Sequence, residues 1–197
     1  MAEQAEELTV PDVDAWREWL AEHVHEQPGV WLTLAKKGTT EPTSLTYAQA
    51  LQEALCQGWI DGQAKSVDDQ VYRQRFTPRR ARSIWSKRNV GYVAALIEAG
   101  RMQPNGHAEI ERAKADGRWD AAYSGPATIE VPEDLVAALA AEPAAQALFA
   151  ELDATNRYAV LHRVVTAVKP ETRARRIQAN VAMLARGETV YPRKQAR

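Results

Sequence analysis

The sequence predicts an α+β fold: a small antiparallel or mixed sheet flanked by helices, followed by a C-terminal helical module. Three observations carry this. Up to Pro78, segments with apolar residues at every second position intersperse with segments of helical spacing. Beyond Pro132 the spacing is helical throughout, with prolines at 132, 143 and 170 placed as helix starts. Between these regions, residues 123–132 (YSGPATIEVP) have the composition of a linker. The expected division is therefore an α+β domain over 1–125 and a helical module over 126–197.

The elements follow in order. Asp12 or Asp14 can cap a helix over 12–25, in which Trp16, Leu20 and Val24 recur at i, i+4 and i+8; Pro28 and Gly29 end it. Residues 30–36 (VWLTLAK) read as a strand that is apolar on both faces, as expected of an interior strand. Thr46 and Gln49 form a capping box for a helix striped by Tyr47, Ala50, Leu51, Ala54 and Leu55 and closed by Gly58. Residues 59–78 predict an antiparallel hairpin turning near Asp68-Asp69. Tyr72, Gln74 and Phe76 lie on one face of its second strand, Val71, Arg73 and Arg75 on the other, and Pro78 is its stop. Ser86 is placed to cap a helix ending at Gly100. A further helix runs from about Asn105 to Asp116, with Gly117 as its stop. The module then continues with helices starting at Pro132 and Pro143, one over 154–168 carrying Tyr158, Leu161, Val165 and Val168, and a last one from Pro170 to Gly187.

Composition excludes several function classes. The chain has 197 residues, 45% of them hydrophobic and 26% charged, which suffices for a packed core. No apolar run approaches the length of a membrane-spanning helix, and the acidic N-terminus is the opposite of a secretory signal, so membrane insertion is not expected. The one cysteine, Cys56, rules out an intrachain disulfide framework and fits the cytoplasm; on a helix it reads as a small buried hydrophobe. The net charge of −1 conceals blocks of −7 (1–53), +5 (54–114), −7 (115–154) and +8 (155–197). Such blocks either dock on one another or present a basic face to a partner.

No phosphate-binding glycine loop, HExxH or GxSxG is present, so no cofactor is expected. His23 and His25 stand two apart on a helix and point in different directions, which argues against a metal site; His107 near a helix start and His162 mid-helix read as solvated or core residues. The distinctive segment is 73–89, RQRFTPRRARSIWSKRN, with seven cations and no acid. Three readings of it stand side by side. Its arginines pair with the acidic blocks and Trp85 is core. Alternatively Arg75, Thr77, Arg79, Arg80, Trp85, Ser86 and Asn89, with Asp61, shape a site for a small phosphate or carboxylate at a helix start. In the third, residues 79–88 meet nucleic-acid phosphates. Asp61, in Trp-Ile-Asp-Gly, is the best single acid. Near Arg75 or Arg79 it would form an ion pair, and it is the candidate general base if the protein is an enzyme. Arg173 and Arg176 share a helix face that can dock on the 115–154 block or on an acidic protein partner.

Several segments carry a family resemblance: VWLTLAKKG, SLTYAQALQEALCQGWIDGQ, RFTPRRARSIWSKRNV, EAGRMQPNG, AKADGRWDAAY and VPEDL…KPETRARRI, spanning residues 28–187. Together they resemble the YdeI/OmpD-associated (OmdA) family, also labelled bacteriocin-protection proteins. The resemblance implies a cytoplasmic α+β body with a small helical module and a link to stress or antimicrobial-peptide resistance. It implies no known reaction. One departure is Gln57, where relatives often carry an aromatic residue beside Trp59. The expectation is a binding protein for a small anion, with the nucleic-acid and enzyme readings as alternatives.

Overall fold

A computed structural model describes residues 5–24 and 28–192, grouped into two compact units: residues up to 85 with 89–121, and 86–88 with 122–192. The first unit holds β1 (Glu6–Leu8), α1 (Val13–Glu22), β2 (Val30–Ala35), α2 (Tyr47–Cys56), β3 (Trp59–Ser66) and β4 (Val71–Pro78). Two further helices follow, α3 (Lys87–Glu98) and α4 (Pro104–Ala115). The sheet order is β1-β2-β4-β3, with β1 parallel to β2 and the other pairs antiparallel, so the sheet is mixed.

All six residues of β2 are buried, consistent with its two strand neighbours and its two apolar faces. The β3–β4 hairpin forms as expected and carries a register irregularity between Asp61 and Ala64. Strand β1 is new relative to the sequence reading. Three residues are too short for a period to show, and the strand is tied in by Glu7, which pairs with Arg73 at 2.6 Å.

Local signals explain most helix ends. The Asp12 carboxylate accepts from the amides of Asp14 and Ala15. Thr46 and Gln49 form both arms of the capping box. Gly58, at φ +76°, takes the left-handed turn that α2 needs before β3. Helix α1 stops at Glu22, earlier than expected, where His23 stacks on Trp19 at 4.2 Å; His25 lies outside the described residues. The core of this unit is aromatic. Trp16 meets Trp59 edge-on at 6.5 Å and Phe76 at 5.7 Å. The indole N–H groups are spent on the carbonyls of Ala50 (from Trp16) and Val24 (from Trp59), so burial leaves neither unsatisfied.

The second unit holds α5 (Glu133–Ala140), α6 (Pro143–Ala150), α7 (Ala154–Val165) and α8 (Pro170–Ala185). Pro143 and Pro170 occupy first-turn positions, where a missing N–H costs nothing. Leu135, Phe149, Leu161, Val164, Ile177 and Leu184 meet in one core. Helix α7 ends at Val165 rather than continuing to 168. The Thr166 hydroxyl bonds back to the His162 carbonyl, and Val168 is exposed. Arg173 grips Asp134 with two N–H···O bonds of 2.6 and 2.9 Å, and that hydrogen bonding holds the Asp134 carboxyl below its ordinary pKa. Arg176 turns instead to the Arg163 carbonyl. Within each unit, acidic and basic blocks thus dock on one another, through Glu7–Arg73, Glu53–Arg101 and Asp134–Arg173.

Candidate functional site

The basic segment begins where β4 ends. Pro78 closes the strand, and the amide of Arg79 bonds to the Gly58 carbonyl at 3.0 Å as the last backbone tie across the hairpin. The Arg79 side chain turns inward and is 5% exposed. Its guanidinium lies 3.5 Å from the Trp85 ring centroid and donates to the Ile84 carbonyl at 3.2 Å. Trp85 is buried in turn, edge-on to Trp119 at 4.9 Å. The intervening turn is held by Ser83, whose hydroxyl accepts from the Arg80 amide and whose carbonyl accepts from Arg118.

Arg79 lines a cleft of about 350 Å³ together with Gln57, Gly58, Pro78, Asn105, Ala108, Glu109 and Arg112. Asn105, Ala108, Glu109 and Arg112 stand at i, i+3, i+4 and i+7 on α4, so one helix face supplies that wall. The cleft is thus lined by two arginines and one glutamate, of which Arg112 and Glu109 form an ion pair. The α4 residues were not singled out in the sequence. Their spacing was visible, but nothing local says what a polar helix face looks onto.

The other expected residues lie as follows. Asp61 pairs opposite Phe76 and accepts a hydrogen bond from the Tyr47 hydroxyl at 2.8 Å; among the described residues it forms no ion pair with Arg75 or Arg79. Arg75 donates to the Pro28 carbonyl and flanks the Trp31 ring at 5.9 Å. Thr77 is half-buried opposite Ile60. Arg80, Arg82, Lys87 and Arg88 are exposed, and Asn89 is buried. Ser86 forms a parallel bridge with Tyr123, and the Lys87 amide at the start of α3 donates to the Tyr123 carbonyl. Arg79 is thus the member of the expected set that lines this cleft; Asp61, Arg75 and Thr77 do not.

A second cleft of the same unit, about 470 Å³, includes Arg17, Glu53, Cys56, Gln57 and Arg101. Glu53 is nearly buried and takes hydrogen bonds from both arginines, which raises the pKa of Arg17 further. Its charges are already matched. Cys56 is 2% exposed, and burial followed by the nearby Glu53 charge pushes its thiol up to about 11. A thiol two units above its usual value of 9.0 holds roughly a hundredfold less thiolate at neutral pH. Iodoacetamide is expected to label Cys56 at least about a hundredfold more slowly in the native protein than in urea. Labelling at the rate of a free thiol would show that the cleft opens readily. Among the described residues no group of His, Cys, Asp and Glu is arranged to hold a metal, and no helix is long and apolar enough to cross a membrane.

Fold and cleft together define a class: a mixed-sheet α+β unit with an arginine-lined cleft, and a separate four-helix unit. Residues 8–109 match the family model described as a domain of unknown function (DUF8412), and the chain belongs to that family. Residues 128–187 match the model described as "Bacteriocin-protection, YdeI or OmpD-Associated" (OmdA), so the resemblance read from the sequence is shown over the helical unit. No curated protein and no solved structure matches the chain.

Proposed function

We propose that this protein binds a small phosphate- or carboxylate-bearing molecule in the Arg79 cleft, and that it does so as a binding protein rather than as an enzyme. The observation that carries the reading is the lining of this cleft: Arg79, its guanidinium fixed against Trp85 and the Ile84 carbonyl, and Arg112 both belong to it. A guanidinium whose rotamer is already fixed loses little entropy on meeting an anion. Gln57 and Asn105 add amide groups suited to orienting the rest of the ligand. The volume, about 350 Å³, lies near the small end of ligand pockets, which run from roughly 300 to 1,000 Å³. The description of the OmdA model, which names bacteriocin protection, supports a role in bacteriocin resistance.

The test is a thermal-shift screen against phosphate, citrate, nucleotides, sugar phosphates and short oligonucleotides. Three proteins are compared: wild type, Arg112→Gln, and Ala108→Glu, which sets a carboxylate at an exposed position of the cleft wall. A ligand of this cleft raises the wild-type midpoint by several degrees and leaves both variants unmoved, because binding the folded state alone must stabilise it. No shift with any compound, or equal shifts in all three proteins, removes the cleft from consideration. A shift with oligonucleotides alone, lost steeply with salt, would favour the nucleic-acid reading of residues 79–88.

A further inference from the structure

Helix α7 presents two faces. Val160, Leu161 and Val164 enter the core of the helical unit. Thr155, Tyr158, Ala159 and His162, at i, i+3, i+4 and i+7, instead line a cleft of about 430 Å³ with Pro126, Arg163 and Tyr191. An aromatic stripe that stays out of its own core, inside a concavity of ligand size, is the signature of a site rather than of packing.

We propose that this cleft is a second ligand site, taking a small planar aromatic molecule with one anionic group, such as a fused-ring carboxylate. Its rings are already arrayed: His162 stands edge-on to Tyr123 at 4.7 Å and tilted to Tyr158 at 5.4 Å. A planar guest extends that array by offset or edge contacts, which a saturated guest cannot make. The small side chains of Ala154 and Ala159 leave width for a ring. The far wall is built in, because the Tyr191 amide donates at 2.8 Å to Oδ1 of Asn156, a residue 1% exposed and itself held by Asp153. Burial, with help from Arg176, pulls the His162 pKa down, and burial raises that of Tyr158. Both shifts favour the uncharged rings, and Arg163 is the charged group among the described residues lining the cleft. One exposed cation at the rim beside these rings favours a guest with a single negative charge.

The full chain, labelled with ¹⁵N, is titrated with 2-naphthoate and with its fully saturated analogue. Naphthoate is expected to shift the amides of residues 154–163 and 191 saturably, and to bind roughly fivefold tighter than the saturated acid. Arg163→Gln, at an exposed position, weakens naphthoate about tenfold without changing the melting curve. Thr155→Trp, also exposed, fills the cleft and abolishes the shifts. No saturable shift at these residues up to the solubility limit overturns the proposal. So do equal affinities for the two acids, and so does binding that persists in Thr155→Trp. Shifts confined to residues 79 and 105–112 would place the acid in the Arg79 cleft, overturning this site while supporting the other.

Discussion

Gly106→Ala is expected to destabilise the first unit by about 3 kcal/mol or more. Gly106 is buried in the first turns of α4, where the helix crosses the end of α2. A Cβ built there comes 2.2 Å from the Cys56 carbonyl oxygen and 2.6 Å from the terminal methyl of Met102. The methionine can rotate away, but the oxygen is backbone, and it already accepts a hydrogen bond from the Gln103 amide at 3.1 Å. Relief requires α4 to move off α2, which disturbs Gln57, Asn105 and Glu109 in the arginine cleft. The thermal midpoint should fall by roughly 10 °C or more. Gly91→Ala is the control. It makes the same change inside α3, at an exposed position with no atom within 4 Å of the new carbon. There alanine is the better helix former, and about 0.5–1 kcal/mol of added stability is expected. Equal effects at the two positions would mean that helix propensity, not the α2–α4 contact, governs both.

What was readable in advance follows the range of the causes. The Thr46–Gln49 capping box, the prolines opening α6 and α8, and the glycine after α2 act over a few residues, so their chemistry is complete in the sequence. The hairpin shows for the same reason. Strand β1 and the partner of Asp61 depend on distant residues. Glu6–Leu8 becomes a strand because β2 offers an edge and Arg73 a charge, 66 residues from Glu7. Tyr47 belongs to the apolar stripe of α2 by spacing, yet its hydroxyl reaches Asp61, which is thereby held without an arginine. Arg79 and Trp85 share one segment and meet directly, whereas Arg112 and Asn105 arrive from α4. Charge pattern marked the first pair; the second is a consequence of how helix and hairpin pack.

The Glu53 cluster should show a strong asymmetry between removing the acid and removing its cations. The Glu53 side chain is 5% exposed, while Arg17 and Arg101 are 51% and 38% exposed. Glu53→Gln removes charge-assisted bonds to both, but each guanidinium can turn out to water; about 1.5–3 kcal/mol is the expected loss. The double variant Arg17→Met/Arg101→Met leaves a carboxylate in the interior facing no cation. Its desolvation is then uncompensated, and about 3–5 kcal/mol is expected. Either arginine alone should cost less, since Arg17 holds the carboxylate through Nε and Nη2 at 3.0 Å and Arg101 through a separate bond. Adding Glu53→Met to the double variant removes the stranded charge and should restore much of the loss, as replacement of buried ion pairs by apolar groups often does. Urea unfolding of these variants beside the wild type measures the order directly. If the arginine double variant is no less stable than Glu53→Gln, the carboxylate is solvated in the folded protein. The 470 Å³ cleft beside it would then be a wet, open groove rather than a charge-matched wall.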